Sequence, residues 1–266
     1  TEDQRALRRL AHRCGRAIAD QHAAGLQISE HVEEDHGRIR FEISHPSHSF
    51  TDAVYLHQAQ EAGGLEGAAK RALMGHYLKL WMDRLAAAIQ SSRCTNAMGE
   101  DMQLEAGILG LMDLMRKVQS TGRKVIFVGN GGSAAIASHM AEDFTKNGKV
   151  RAVTFNDAAL MSCFANDYGW WNVFLEAVRQ YGDPGDVLIA ISSSGNSANI
   201  MAAATEAKAK GIVPVTFSGF TQDNKLRSMG TLNFYVAAGQ YGFVETAHAA
   251  LLHAVLDLHS GWVGQQ

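Results

Sequence analysis

From Arg123 onward the chain carries five continuous apolar runs, KVIFV, AVTF, VLIAI, IVPVTF and LNFYV, set apart by polar turns and helix-length segments. A strand with one wet face alternates apolar and polar residues, whereas an unbroken apolar run belongs to a strand covered on both sides. Joining such strands in parallel requires crossovers, and the helical segments between them supply these. The pattern therefore predicts an α/β fold, a doubly wound five-stranded parallel sheet with helices on both faces. With 266 residues, 46% of them hydrophobic, the chain can bury one large α/β domain plus an appendage, or two small domains.

Charge and cysteine usage narrow the class of function. A net charge of -3 argues against a basic nucleic-acid binder, and no apolar run approaches the length of a membrane span. Cys14, Cys94 and Cys163 are odd in number and show no CxxC spacing, which supports neither a disulfide framework nor a thiolate zinc knuckle. A cytoplasmic location is expected. The first residue is Thr1, which leaves open a processed, trimmed or excised chain.

Two domains are expected, an N-terminal extension over 1–69 and an α/β domain over 70–266. The extension reads as a helix near 4–24, a polar stretch HVEEDHGR, a strand RIRFEIS, a loop with Pro46, and a helical piece ending at Gly63-Gly64. Its histidines, at 31–36 and at His45 and His48, read as solvated surface rather than a second metal site. Two apolar-periodic helices follow, near 70–92 and 102–120, parted by the polar segment SSRCTNAMGED.

In a parallel sheet, ligands gather beyond the C-terminal strand ends. After KVIFV the loop is Gly129-Asn130-Gly131-Gly132-Ser133, and after VLIAI it is Ser192-Ser193-Ser194-Gly195-Asn196-Ser197. Glycines let backbone N–H groups approach an anion, helix N-termini add unpaired donors, and hydroxyls add more, so neutral groups alone can hold a phosphate. The spacing is not GxGxxG, no GK[ST] follows, and no ribose-holding acid lies about 20 residues on, which disfavours a nucleotide.

GNGGSAAIASHMAEDF, FNDAALMSCFANDYGW, GDVLIAISSSGNSANI and YGFVETAHAALLH, in that order, resemble the signature blocks of the phosphoheptose isomerase family, within the sugar isomerase (SIS) fold. The resemblance covers roughly residues 70–266. It implies a three-layer α/β/α sandwich and a homotetramer with active sites at subunit interfaces. It also implies isomerisation of sedoheptulose 7-phosphate to an aldoheptose 7-phosphate, often with bound zinc.

Carried over by position, Ser192, Ser193, Ser194 and Ser197 match the family's phosphate binder, Asn130 and Ser133 its first-loop substrate contacts, and Asp167 an aspartate near the sugar hydroxyls. His139, Asp143, Glu245 and His253 match its metal and acid–base positions. Three departures stand out. Asp143 replaces a glutamate and has Glu142 beside it, so helical spacing alone leaves open which carboxylate points inward. Glu245 replaces a glutamine. Gly242 replaces a common aspartate. Eight helical residues put Glu245 about 12 Å along the axis from His253, so either the helix start frays or neighbouring subunits share the ligands. His248, one turn from Glu245, is expected to orient it.

The resemblance then assigns Asp143, or alternatively Glu245, as base and His253 as acid. Two rivals remain: an isomerase for an eight-carbon octulose phosphate of an antibiotic sugar pathway, and a non-catalytic SIS module that senses a phosphosugar.

Overall fold

The computed structural model describes residues 27–33, 38–45, 50–55 and 65–264. Contact density divides the chain into two compact units, Thr1–Asp83 and Arg84–Gln266. In the first, β1 (Gln27–Glu33), β2 (Arg38–His45) and β3 (Phe50–Tyr55) form an antiparallel sheet, with Gln27 opposite Ser44 and Arg40 opposite Tyr55. The strand at RIRFEIS is present. Strands also occupy part of HVEEDHGR and the start of the expected helical piece, because FTDAVY and QISEHVE pair across the sheet with RIRFEISH. The expected helix at 4–24 and residues 56–64 lie outside the described residues, as do the side chains of the N-terminal histidines.

Helix α1 (Leu65–Gln90) runs from the first unit into the second. The second unit continues with β4 (Arg93–Asn96), β5 (Asp101–Met102), α2 (Leu104–Ser120), β6 (Val125–Gly129), α3 (Gly132–Lys146), β7 (Ala152–Thr154), α4 (Ala158–Tyr168) and α5 (Val173–Tyr181). It ends with β8 (Val187–Ser192), α6 (Ala198–Ala209), β9 (Val213–Ser218), β10 (Leu232–Tyr235) and α7 (Tyr241–His259). The strand order is β5-β4-β10-β9-β8-β6-β7. The five parallel strands are the five apolar runs. The sheet has seven strands rather than five because β4 and β5, antiparallel, extend the β10 edge.

Alternation along the buried strands builds two cores. Val125 and Phe127 of β6 and Val187, Ile189 and Ile191 of β8 face α2, α3 and α7, through residues such as Met115, Phe144 and Leu252. Ile126, Val128, Leu188 and Ala190 face α5 and α6, through Phe174, Val178, Ile200 and Ala203. At the N-terminal strand ends the fully buried Asp186 accepts from the Lys124 and Asp183 amides at 3.0 and 2.8 Å and pairs with Lys124 Nζ at 2.7 Å. This bracket aligns the starts of β6 and β8. Chain order reverses between the same two strands: β7 lies on one side of β6, and β8 to β10 on the other. The crevice at their C-terminal ends is the switch point where such sheets bind ligands. Cys94 packs into the core with its thiol pushed up to about 11 by burial, so it is not a reactive group.

Candidate active site

The loops after β6 and β8 share a cleft of about 240 Å³. Asn130, Gly131, Gly132 and Ser133 line one side, Ile191 to Ser194 and Ser197 the other, and Tyr241 and Glu245 of α7 close it. The N-termini of α3 and α6, at Gly131 and Ser197, have no side-chain cap. Two sets of helix-end donors are thereby presented where an anion can take them. The serine turn is tied by the Gly195 amide donating to the Ser192 carbonyl at 2.9 Å and the Ser192 hydroxyl donating to Ser197 Oγ at 3.1 Å. Ser193 Oγ is buried and has no partner among the described residues, a donor that burial in a cleft leaves for a ligand.

Glycine is required where these loops approach each other. A Cβ on Gly129 would run into the Ser133 backbone, and one on Gly132 into the Glu245 carboxylate. That carboxylate therefore rests on the first residue of α3.

Two turns further along the same helices lies a second group. His139 Nε2 is 3.4 Å and His253 Nδ1 3.9 Å from Asp143 Oδ2, with the rings 5.4 Å apart. The three ligand atoms lie within 4.8 Å of one another. These separations exceed ordinary N–H···O hydrogen bonds. They approach the spacing of about 3.3 Å between ligands around a tetrahedral ion with bonds near 2.05 Å. The donor set, two imidazoles and a carboxylate, fits a divalent cation. Asn147 donates to Asp143 Oδ1 at 3.2 Å and fixes the carboxylate, as supporting groups do around metal ligands. Asp143, partly buried, is the inward acid, and Glu142 is exposed.

The remaining sequence candidates fall elsewhere. Glu245 lines the cleft and is not among the three clustered ligand groups. Asp167, exposed on α4, accepts from Asn166 at 2.8 Å and from the Cys163 thiol at 3.6 Å, and does not line the cleft. His248 is wholly buried and its Nε2 is bonded at 3.0 Å to the Ser218 carbonyl, which gives it a partner on β9. Sequence reasoning missed Asn199 and Tyr241. Asn199 is buried and pairs with Asn130, and Tyr241 stacks edge-on with Phe220 at 4.9 Å.

Burial pushes the His248 imidazole down to about 4, the bond to Ser218 opposing only part of that shift. The unfolded chain, with an ordinary histidine value near 6.5, binds a proton that the folded chain refuses. Stability is therefore undiminished above about pH 6.5 and falls as pH drops from 6.5 towards 4, by about 3 kcal/mol from this group. Urea midpoints at pH 7 and pH 4.5 should show that loss, and His248→Gln should reduce the difference. An equal pH difference in the variant contradicts the assignment.

Residues 93–219 match the SIS domain family. A phosphoheptose isomerase of Fusobacterium nucleatum is 35% identical over 150 residues, covering 54% of this chain and 76% of that protein. One from Burkholderia pseudomallei is 34% identical over 175 residues, covering 64% of this chain and 88% of that protein. The chain belongs to the phosphoheptose isomerase family. Among solved structures, the phosphoheptose isomerase GmhA of Neisseria gonorrhoeae superposes with a TM-score of 0.61 at 28% identity, covering 70% of this chain and 99% of that one. Sequence identity and superposition thus agree with the architecture of the second unit, an SIS fold with a mostly parallel sheet.

Proposed function

We propose that this member of the family, a phosphosugar isomerase, converts sedoheptulose 7-phosphate to D-glycero-D-manno-heptose 7-phosphate through an enediol(ate). The observation that carries the reading is the cleft in which two uncapped helix N-termini and the unpartnered Ser193 hydroxyl converge without a basic side chain. That is an anion site for a phosphate held by neutral donors. Ser192, Ser193, Ser194 and Ser197 would hold the phosphate, and Asn130 and Ser133 the adjoining oxygens. The seven residues from Gly132 to His139 span about 10 Å along α3, so an extended sugar chain is needed to reach from that anchor to the His139, Asp143 and His253 group.

Moving a carbonyl between C1 and C2 requires a base for a carbon-bound proton and an acid for the oxygens. Asp143 takes the proton from carbon; Glu245, the alternative base by position, rests on Gly132 at the other end of the site, about two helical turns from His139. His253 passes protons among the sugar oxygens. His139, Asp143 and His253 would hold a divalent ion, zinc by the donor set, whose chemistry is to polarise the substrate carbonyl. Phosphate binding orients the reacting end from a part of the substrate that does not change.

The extension is assigned 1–69 and the isomerase domain 70–266, the latter beginning within α1, ahead of the Arg84 start of the second compact unit. A homotetramer with shared active sites is supported by Asp167, which stands outside its own cleft, and by the exposed apolar residues Met74, Leu78 and Met82 of α1. No helix among the described residues is long and apolar enough to cross a membrane, and a cytoplasmic location suits the substrate.

The eight-carbon alternative is favoured by Gly242, exposed at the second position of α7, where a missing side chain removes a sugar contact. Turnover of sedoheptulose 7-phosphate and of an octulose 8-phosphate, with metal content measured on the same preparation, tests the reading. The expected result is at least tenfold higher kcat/KM for the seven-carbon sugar with metal present. Preference for the octulose moves the assignment to that sugar, and no turnover of either supports a phosphosugar-sensing module.

A further inference from the structure

Asn130 and Asn199 form a closed pair of side-chain amides. Asn130 Nδ2 donates to Asn199 Oδ1 at 2.9 Å, and Asn199 Nδ2 donates back to Asn130 Oδ1 at 3.0 Å, across 69 residues of sequence. Asn130 follows the last residue of β6 and lines the cleft; Asn199 is the second residue of α6 and is 2% exposed. The pair thus bolts the first anion loop to the helix that begins under the serine turn. Each amide has two N–H groups and a carbonyl with two lone pairs, and the pair uses one of each. Asn130 therefore keeps one N–H and one lone pair while its rotation is fixed.

Packing alone does not account for Asn199. Its neighbours on α6, Ile200, Ala203, Ala204 and Ala207, are apolar and fill the core under the sheet. Asparagine is a poor helix former and a costly residue to bury without partners. Asn130 supplies both partners that Asn199 has here.

We propose that Asn199 is a positioning residue of the phosphate site. Acting through Asn130, it holds the two loops at the separation at which the N-termini of α3 and α6 converge on one anion. This rests on the phosphosugar reading of the cleft, but it concerns a side chain shut away from any ligand.

The test is a double-mutant cycle read out by calorimetric affinity for inorganic phosphate, with KM and kcat for sedoheptulose 7-phosphate and thermal midpoints measured alongside. Asn199→Ala should weaken phosphate binding and raise KM by about tenfold, with kcat changed less than about threefold. On an Asn130→Ala background the same substitution should have no further effect on phosphate. Asn199→Ser, which keeps a polar group suited to the first turn of α6, is run in parallel so that the cycle does not depend on the folding of one variant. Wild-type phosphate affinity in the Asn199 variants, or losses that simply multiply in the double variant, overturns the proposal. Because phosphate binding needs no turnover, coupled loss of phosphate in a protein that fails to isomerise the heptulose supports the clamp and overturns the isomerase reading.

Discussion

Asp143→Asn and His253→Ala should each lower kcat for sedoheptulose 7-phosphate by about 10²–10⁴-fold while leaving the protein folded. The size follows from what each substitution removes. Asp143 Oδ2 is the point at which both imidazoles meet, 3.4 Å from His139 and 3.9 Å from His253. Asparagine has the same shape and can still accept from Asn147 through its carbonyl, so the packing is kept and the charge and basicity are lost. His253, on the neighbouring helix, is partly exposed and carries little core packing, so its removal should cost turnover rather than stability. The two act as one unit, and the double variant should fall little below the worse single one. Circular dichroism with a coupled aldose assay checks both, and turnover within threefold of wild type in either variant contradicts the role.

Gly195→Ala should be the most damaging substitution in the serine turn. Gly195 has φ +63, and a Cβ there would run into the side chain of Asn224. Asn224 cannot simply move away. It donates to the carbonyls of Gly219 and Thr221 at 3.2 and 2.8 Å and accepts from the Arg227 amide at 3.1 Å, while the Leu226 amide donates to the Gly195 carbonyl at 2.9 Å. The loop after β9 is thereby latched behind the serine turn. Backbone strain plus a displaced, buried hydrogen-bonding side chain predicts a loss of about 2–4 kcal/mol in urea unfolding, together with at least tenfold weaker phosphate binding. Gly122→Ala, just past the end of α2, is the control. It also has positive φ, +67, but no described atom lies within 4 Å of its Cβ position, so only the conformational cost of about 1–2 kcal/mol applies. Equal unfolding midpoints for the two variants contradict the latch.

The parallel strands were legible because each is an apolar run of the length a doubly covered strand needs, and the loops after β6 and β8 because glycine and serine mark them. What escaped sequence reading depends on partners distant in the chain. RCTN of β4 looks like part of a polar connector until Cys94 and Thr95 are buried against β10. FTDAVY of β3 takes its strand identity from β2. At the site, helical spacing placed His139 on the same face as both Glu142 and Asp143, and burial decides between them. Spacing along α7 raised the question whether Glu245 can join His253, and the fold seats Glu245 on Gly132, about two turns from His139. The amide pair of Asn130 and Asn199 has no signature in either loop, since each residue alone reads as an ordinary turn or helix-start asparagine.

A crystal structure with sedoheptulose 7-phosphate bound to a slow variant such as Asp143→Asn tests the central claim most directly. The phosphate is expected within hydrogen-bond reach of Ser193 Oγ and the first amides of α6, with C1 and C2 directed towards residues 143 and 253. A phosphate seated anywhere other than the cleft between the two loops contradicts the account.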